Sequence, residues 1–281
     1  MRAPTAVLAL ALVLPARLVA QGACSPGPQS NEAKTLGILS VPLAFSAAGA
    51  PLAEARHMFR VGVVVSSVPN VDARTSTPTI CRPGKGPENT NLLSAVPQPR
   101  ISLALPGLFE VEASWIPPVR VNEVKANLFS LALSKTVPIA SATFAARVRA
   151  HATLGVIHAP ITCSDAALKD SASECFNGTR SNDSYHPNIL GADVSLGWSP
   201  PGSRLRPYLG GGYNRLQPRF QVNFTNSVGD IDRTKVQVDL NRLVVFGGAT
   251  WLISRSVDVT GELYASPSDA VTVQFGLRAG L

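Results

Sequence analysis

The sequence is poor in charge and in aromatic side chains. Charged residues make up 15% of the 281 residues and aromatic residues 6%, and the Lys and Arg residues form no cluster. Without a basic patch, the chain lacks the usual footprint of nucleic-acid binding. After residue 20, no stretch approaches the roughly 20 apolar residues that a helix needs to cross a bilayer. We therefore expect neither a nucleic-acid partner nor a helical membrane protein.

Recognisable catalytic and metal-binding motifs are missing as well. The sequence contains no G-x-S-x-G elbow and no H-E-x-x-H pair, and the glycines at 210–212 lack the Lys-Ser/Thr of a phosphate loop. The four histidines lack the spacing of metal ligands. They are His57, His151, His158 and His186. The sequence therefore predicts no enzymatic activity, no metal and no cofactor.

The first twenty residues have the pattern of an export signal. Arg2 supplies the charged start, residues 6–14 form an apolar run, and Leu18-Val19-Ala20 provides a small-residue cleavage site. We predict three regions: a signal peptide at 1–20, an N-terminal segment of unclear structure at 21–54, and a main domain at 55–281. The apolar stretch Leu36–Phe45 in the second region fits a first strand, a plug or a tail.

The chain contains four cysteines, an even number that favours disulfides in an exported protein. Cys163 and Cys175 enclose a polar stretch, so we expect a local bridge there. Cys24 would then pair with Cys81 and attach the N-terminal segment to a loop. A metal site is disfavoured because no C-x-x-C pair is present.

Alternation of apolar and polar residues is the main structural signal. In the last eleven residues, Val271, Val273, Phe275 and Leu277 share one face with Ala279 and Leu281. Side chains of a strand point to opposite faces with period two. Residues 140–158 alternate in the same way. A helix is the alternative for this Ala-rich stretch, but it would scatter Arg147, Arg149 and His151 around its surface.

Counting such segments from residue 55 gives ten strands, or eight if the hairpin at Ile101–Leu105 is short. Residues 69–99 are read as a long loop, and Ser134–Pro138 as a turn. With ten antiparallel strands, the long loops after Val68, His158 and Phe224 fall at one end. The short turns and both termini fall at the other end. Long outer loops and short inner turns are typical of outer-membrane barrels.

The stretch Arg206-Pro-Tyr-Leu-Gly-Gly-Gly-Tyr213, the later Phe246-Gly-Gly-Ala249 and the C-terminal hairpin resemble small bacterial outer-membrane β-barrel proteins of the OmpA/OmpW-like type. The resemblance covers roughly the last hundred residues, and Leu281 stands where the family usually has an aromatic residue. It implies an all-β fold, a single antiparallel up-and-down transmembrane barrel of about eight to ten strands. It also implies outer-membrane lipid and the barrel-assembly machinery as partners.

If the apolar faces contact lipid, ten charged residues of the opposite faces point into the lumen. They are Arg60, Glu110, Glu112, Arg147, Arg149, Asp193, Arg206, Asp258, Glu262 and Arg278. Because buried charges require partners, we expect opposed Glu or Asp and Arg side chains to form a polar network. A selectivity network and a structural salt-bridge core both fit this set. The narrow, filled interior of small barrels favours the structural core.

The sequence thus favours an exported protein of the bacterial outer membrane, with a structural or small-solute passage role and a narrow, polar, mostly plugged lumen. A small solute is the candidate passenger. The alternative is a secreted soluble all-β protein that binds a ligand or a partner. An outer-membrane enzyme with catalytic groups on its loops is a third, weaker interpretation.

Overall fold

A computed structural model describes residues 23–51, 57–139 and 143–281. Ten long strands dominate it, and we number them in chain order. They are β1 Phe59–Ser67, β2 Ala95–Leu105, β3 Phe109–Ile116, β4 Val124–Ile139, β5 Phe144–Ala159, β6 Ile189–Trp198, β7 Leu205–Leu216, β8 Leu240–Leu252, β9 Val257–Ser266 and β10 Ala270–Gly280. The predicted signal peptide lies outside the described residues.

The ten strands form a closed antiparallel barrel. Each strand pairs with the next one along the chain. The sheet closes because β10 pairs with β1, with Phe275 opposite Val65 and Leu277 opposite Val63. The prediction of an all-β, up-and-down barrel is confirmed. In the described part of the chain, no helix is long and apolar enough to cross a membrane.

The barrel is apolar outside and polar inside. Along β10, Val271, Val273, Phe275 and Leu277 are exposed, whereas Thr272 and Gln274 are buried. Strand β5 repeats this arrangement, because Val148 and Leu154 are exposed while Arg147, Arg149, His151 and Thr153 are buried. Burial of polar side chains on one face of nearly every strand requires an interior that supplies hydrogen bonds.

The two ends of the barrel differ in the length of their connections. The turn end carries the short connections at 106–108, 199–204 and 253–256, together with the C-terminus. The loop end carries the long connections at 68–94, 160–188 and 217–239. Cys24 also lies at the loop end, where its backbone forms an isolated parallel β-bridge with Val236. Strand β1 begins and β10 ends at the turn end, as expected when the ten strands are counted from residue 55.

Short elements and two disulfides organise the loop end. The strand Asp183–His186 extends the sheet from β5, followed by Arg219–Gln221 and Lys235–Gln237. The remaining elements are strands Arg120–Val121, Phe224–Thr225 and Ile231–Asp232, helix Ala73–Ser76 and the 3₁₀ turn Ala167–Lys169. Disulfides join Cys24 to Cys81 and Cys163 to Cys175, as expected.

The N-terminal segment lies inside the barrel. It forms helix α1, Asn31–Ser40, which Ser30 caps by accepting a hydrogen bond from the Ala33 N–H, and then a 3₁₀ turn at Val41–Leu43. From there an extended stretch runs towards the turn end, and residues 40–51 are all buried. We call residues 31–51 the plug. A first strand at Leu36–Phe45 is excluded, because most of this stretch is helical.

Three local predictions are corrected. Strand β2 begins at Ala95, although 69–99 was read as a loop, because Pro97 and Pro99 occupy exposed positions of the strand. Residues Ser134–Pro138 continue β4 as far as Ile139, where a turn was expected. The change in phase of the apolar residues between Arg242 and Val244 suggests a bulge in the sequence, but β8 pairs with β7 without a register break.

Gly155 is the position where the barrel wall most clearly requires glycine. Its φ is +133°, and an added Cβ would lie 2.1 Å from the Asn127 carbonyl oxygen. Because the obstacle is backbone and the conformation suits glycine alone, we expect Gly155→Ala to lower the free energy of unfolding by about 1–3 kcal/mol. Urea titration in lipid vesicles, followed by tryptophan fluorescence, measures the change. Gly261→Ala is the matched control, because its Cβ would meet nothing nearer than 3.9 Å; equal losses in the two variants would contradict the assignment.

Candidate functional site

The lumen contains a network of charged side chains that holds the plug. Of the ten charged residues predicted for the inner face, six are buried and the other four are half-buried. The buried six are Glu112, Arg147, Arg149, Asp193, Asp258 and Glu262. The half-buried four are Arg60, Glu110, Arg206 and Arg278. Their partners separate into three groups along the barrel axis.

Arg149 lies at the centre of the network and joins the wall to the plug. Its Nη2 lies 2.8 Å from Asp193 Oδ2, and its Nε is 3.0 Å from the same oxygen. The guanidinium also donates to the plug carbonyls of Ser46 at 2.7 Å and Phe45 at 2.6 Å. Asp193 faces Arg149 directly across the β5–β6 pair. A side chain that is 1% exposed thus has a carboxylate and two carbonyl partners.

Arg100 is a second plug contact, which the sequence analysis missed. It donates to the Ser46 carbonyl at 2.9 Å, and its guanidinium carbon lies 4.2 Å from the centre of the Phe45 ring. Glu112, on the neighbouring strand, lies 3.8 Å from Arg100 Nη1. The two prolines before Arg100 favour a loop, so the sequence pattern does not assign Arg100 to β2. Its spacing of two from Gln98 and Ser102 was the available signal.

Further towards the turn end, single hydrogen bonds hold the plug backbone. The Ala48 N–H donates to Glu262 at 3.1 Å, and the Ala50 N–H donates to Thr250 at 3.0 Å. Arg147 donates to the Gly49 carbonyl at 2.8 Å. Glu262 also accepts a hydrogen bond from the Tyr208 hydroxyl at 2.7 Å. The small side chains of residues 46–50 allow the wall to reach this backbone.

The remaining predicted residues pair within the wall. Arg60 forms an ion pair with Glu110, and Arg278 Nε lies 2.9 Å from Asp258 Oδ1. Arg206 is half-buried near the start of β7, opposite Thr250 in the register. The arrangement as a whole is closed: charges face charges or plug carbonyls. It holds a segment in place and leaves the charges little contact with solvent.

A second charged cluster lies among the loops. The Arg82 side chain is 3% exposed and contacts Glu88 at 3.0 Å, Asp232 at 3.6 Å and Glu174. Lys85 adds a bridge to Glu174 at 2.7 Å. The three carboxylate partners of Arg82 belong to three different loops, 68–94, 160–188 and 217–239, so Arg82 joins these loops at the loop end. Sequence periodicity carries no signal for such a cluster because it lies between strands.

Helix α1 of the plug is bound to one of the same loops, 68–94. Glu32 accepts hydrogen bonds from the backbone N–H groups of Thr79, Ile80 and Cys81 at 2.7–2.9 Å. Burial raises the pKa of Glu32, but the three N–H donors outweigh burial and leave the pKa below its usual value. Beside this contact, the disulfide joins Cys24 to Cys81. At this end, hydrogen bonds and a disulfide therefore join the plug and its preceding residues to the loop at 68–94.

Among the residues that the structure describes, no group of three or more His, Cys, Asp or Glu side chains is arranged to hold a metal ion. The histidines are separate. His151 lies 3.6 Å from Asp193 in the lumen, whereas the His57 ring nitrogen meets the Arg255 carbonyl at 3.2 Å at the turn end. The chemistry of the lumen is therefore the pairing of guanidinium groups with carboxylates and carbonyls.

No family model and no curated protein matches the chain. Several solved structures of bacterial outer-membrane proteins are similar in fold. The outer membrane protease OmpT of Escherichia coli is 10% identical, with a TM-score of 0.41 over 80% of this chain and 94% of that one. Neisserial surface protein A is 10% identical, with a TM-score of 0.27 over 79% and 97%. Omp33 of Acinetobacter baumannii is 9% identical, with a TM-score of 0.30 over 80% and 98%. The protease activity named for OmpT is not carried over to this chain.

Glu88 makes the loop cluster sensitive to pH. Burial raises the pKa of Glu88 to about 7, although Arg82 opposes the shift. A raised pKa means that folding favours the protonated acid, so its stabilisation is complete below about 4.5 and is lost as pH rises through about 7. We expect the loops to become more accessible to hydrogen exchange between pH 5 and pH 8. In Glu88→Gln this dependence should disappear.

The control for this prediction is Glu123→Gln, which removes a carboxylate that is 41% exposed at the same end. It should leave the pH profile of the loops unchanged. A profile that persists in Glu88→Gln would show that another group controls the loops.

Proposed function

We propose that this chain is a structural β-barrel of the bacterial outer membrane whose own N-terminal segment keeps its lumen closed. The observation that carries the proposal is the inverted burial of the barrel: charged side chains are enclosed, and large apolar side chains face outwards all around. In water such a surface would be an aggregation liability, whereas lipid is its natural environment.

The outward apolar side chains form a continuous belt. Each of the ten strands contributes at least one large apolar residue that is more than a third exposed. Examples are Val65, Phe129, Val194, Leu243 and Phe275. Closure of the sheet satisfies the backbone groups of every long strand, which is the condition for strands within a hydrocarbon layer. The secreted soluble alternative offers no partner for this belt.

The plug supports a closed role over free passage. Its carbonyls are bound by Arg100, Arg147 and Arg149, and its N–H groups by Glu262 and Thr250. In a permanent pore these wall groups would be hydrated, whereas here they bind the backbone of the plug. Assembly by the barrel-assembly machinery, acting on the C-terminal strand, completes the proposal, and no enzymatic step is part of it.

Fractionation of cells tests the location. We expect the protein to require detergent for extraction and to migrate more slowly on gels after boiling, because a closed barrel resists unfolding by detergent until it is heated. Release of the protein into the aqueous periplasmic fraction would contradict the membrane assignment and favour the secreted soluble alternative.

Conductance in planar bilayers tests the closed lumen. The wild-type protein should give no single-channel steps, whereas Arg149→Gln, which removes two plug contacts and leaves Asp193 unpaired, should produce them. Arg204→Gln, in an exposed turn, is the matched control and should be silent, and heat-modifiable migration should verify that both variants fold. Clear steps in the wild type that change with Arg147→Ala or Glu112→Ala would replace the structural role by small-solute passage.

A further inference from the structure

Arg147 differs from the other buried arginines of the lumen. Arg100, Arg149 and Arg278 each have a carboxylate oxygen within 4 Å. Within the described residues, Arg147 has no such ion pair. It is 3% exposed, its Nη2 donates to the Gly49 carbonyl at 2.8 Å, and its Nε has no hydrogen-bond partner. A buried guanidinium with one neutral acceptor is costly because its charge has lost water without gaining a counter-ion.

A cavity at the turn end adjoins this side chain. It has a volume of about 60 Å³, opens in part to solvent, and has Arg147 among its lining residues. Arg60, Arg255 and His57 also line it. The site therefore combines a buried cation that has a free N–H donor with space for a small ion, and it opens in part to solvent.

The charges of the lining leave a positive excess. Two acids, Glu110 and Asp258, border the cavity, but Glu110 is paired with Arg60 and Asp258 with Arg278. Arg147 and Arg255 form no ion pair in the described part of the chain, although Arg147 lies close enough to Glu110 to interact with it electrostatically. Since low surrounding polarity strengthens charge interactions, an anion at this position would gain more than it would at an exposed arginine.

We propose that this cavity is a binding site for a small oxyanion, a carboxylate or a phosphate group, with Arg147 as its main ligand and Arg255 at its rim. A guanidinium offers two parallel N–H donors to a planar or tetrahedral oxyanion, which makes arginine well suited to such ligands. Arg147 also holds the plug through the Gly49 carbonyl, but the proposed anion binding does not depend on whether the barrel conducts.

Calorimetric titration of the full-length protein in a neutral detergent tests the site. The probes are inorganic phosphate and acetate at pH 7 and constant chloride. We expect saturable binding of at least one anion to the wild type and an affinity at least about tenfold weaker in Arg147→Gln, or roughly 1.4 kcal/mol. Arg147→Lys should retain part of the affinity, because it keeps the charge and loses the paired donors.

Arg204→Gln, which removes an exposed arginine at the same end, should bind like the wild type. Heat-modifiable migration of every variant verifies folding. The absence of saturable binding to the wild type, or equal affinity in Arg147→Gln, would overturn the proposal. Neither result bears on detergent extraction or conductance.

A second titration distinguishes free anions from lipid phosphate. The protein is transferred to bicelles that contain phosphatidylglycerol, and phosphate is added again. Unchanged affinity supports a site for free oxyanions. Loss of phosphate binding in these bicelles, but not in bicelles of uncharged glycolipid, supports occupation of the same Arg147 site by a lipid phosphodiester.

Discussion

The guanidinium of Arg149 is the contact on which the interior depends. It binds Asp193 in the wall and two consecutive carbonyls in the plug, so a single side chain fixes the strand pair and the segment that crosses the lumen. Because a buried charge must be neutralised, the carboxylate, the arginine and the plug backbone have to be placed together. Arg100 also donates to the Ser46 carbonyl, and its guanidinium lies over the Phe45 ring. The position of the plug follows from these two side chains.

Register supplies the wall half of this network. Arg149 faces Asp193, and Asp258 faces Arg278, as directly opposed residues on adjacent antiparallel strands. Cross-strand neighbours of opposite charge stabilise a pairing and disfavour a shift by one residue, which would move every charge to the lipid side. The same side chains thus select the register of the barrel and hold what lies inside it.

The sequence was most informative where one residue in two was apolar. Alternation predicted the strands, their faces and a barrel of eight to ten strands, as β5 and β10 illustrate. It failed in β2, because Pro97 and Pro99 usually end strands, although here their missing donors are tolerated within the sheet. It also could not place the plug, because residues 44–51 are held through their backbone, and a carbonyl contact leaves no pattern in side chains. The loop cluster around Arg82 could not be predicted either, because its members come from loops that are distant in the sequence.

The disulfide between Cys24 and Cys81 limits how the plug can move. The plug runs from the loop end into the lumen, β1 lies in the wall, and Cys81 belongs to the loop that follows β1. The N-terminal side of the plug is therefore tied covalently to a loop at one end of the barrel. Movement of the plug out through the turn end would draw this loop into the lumen with it. Reduction of the disulfide removes that restraint.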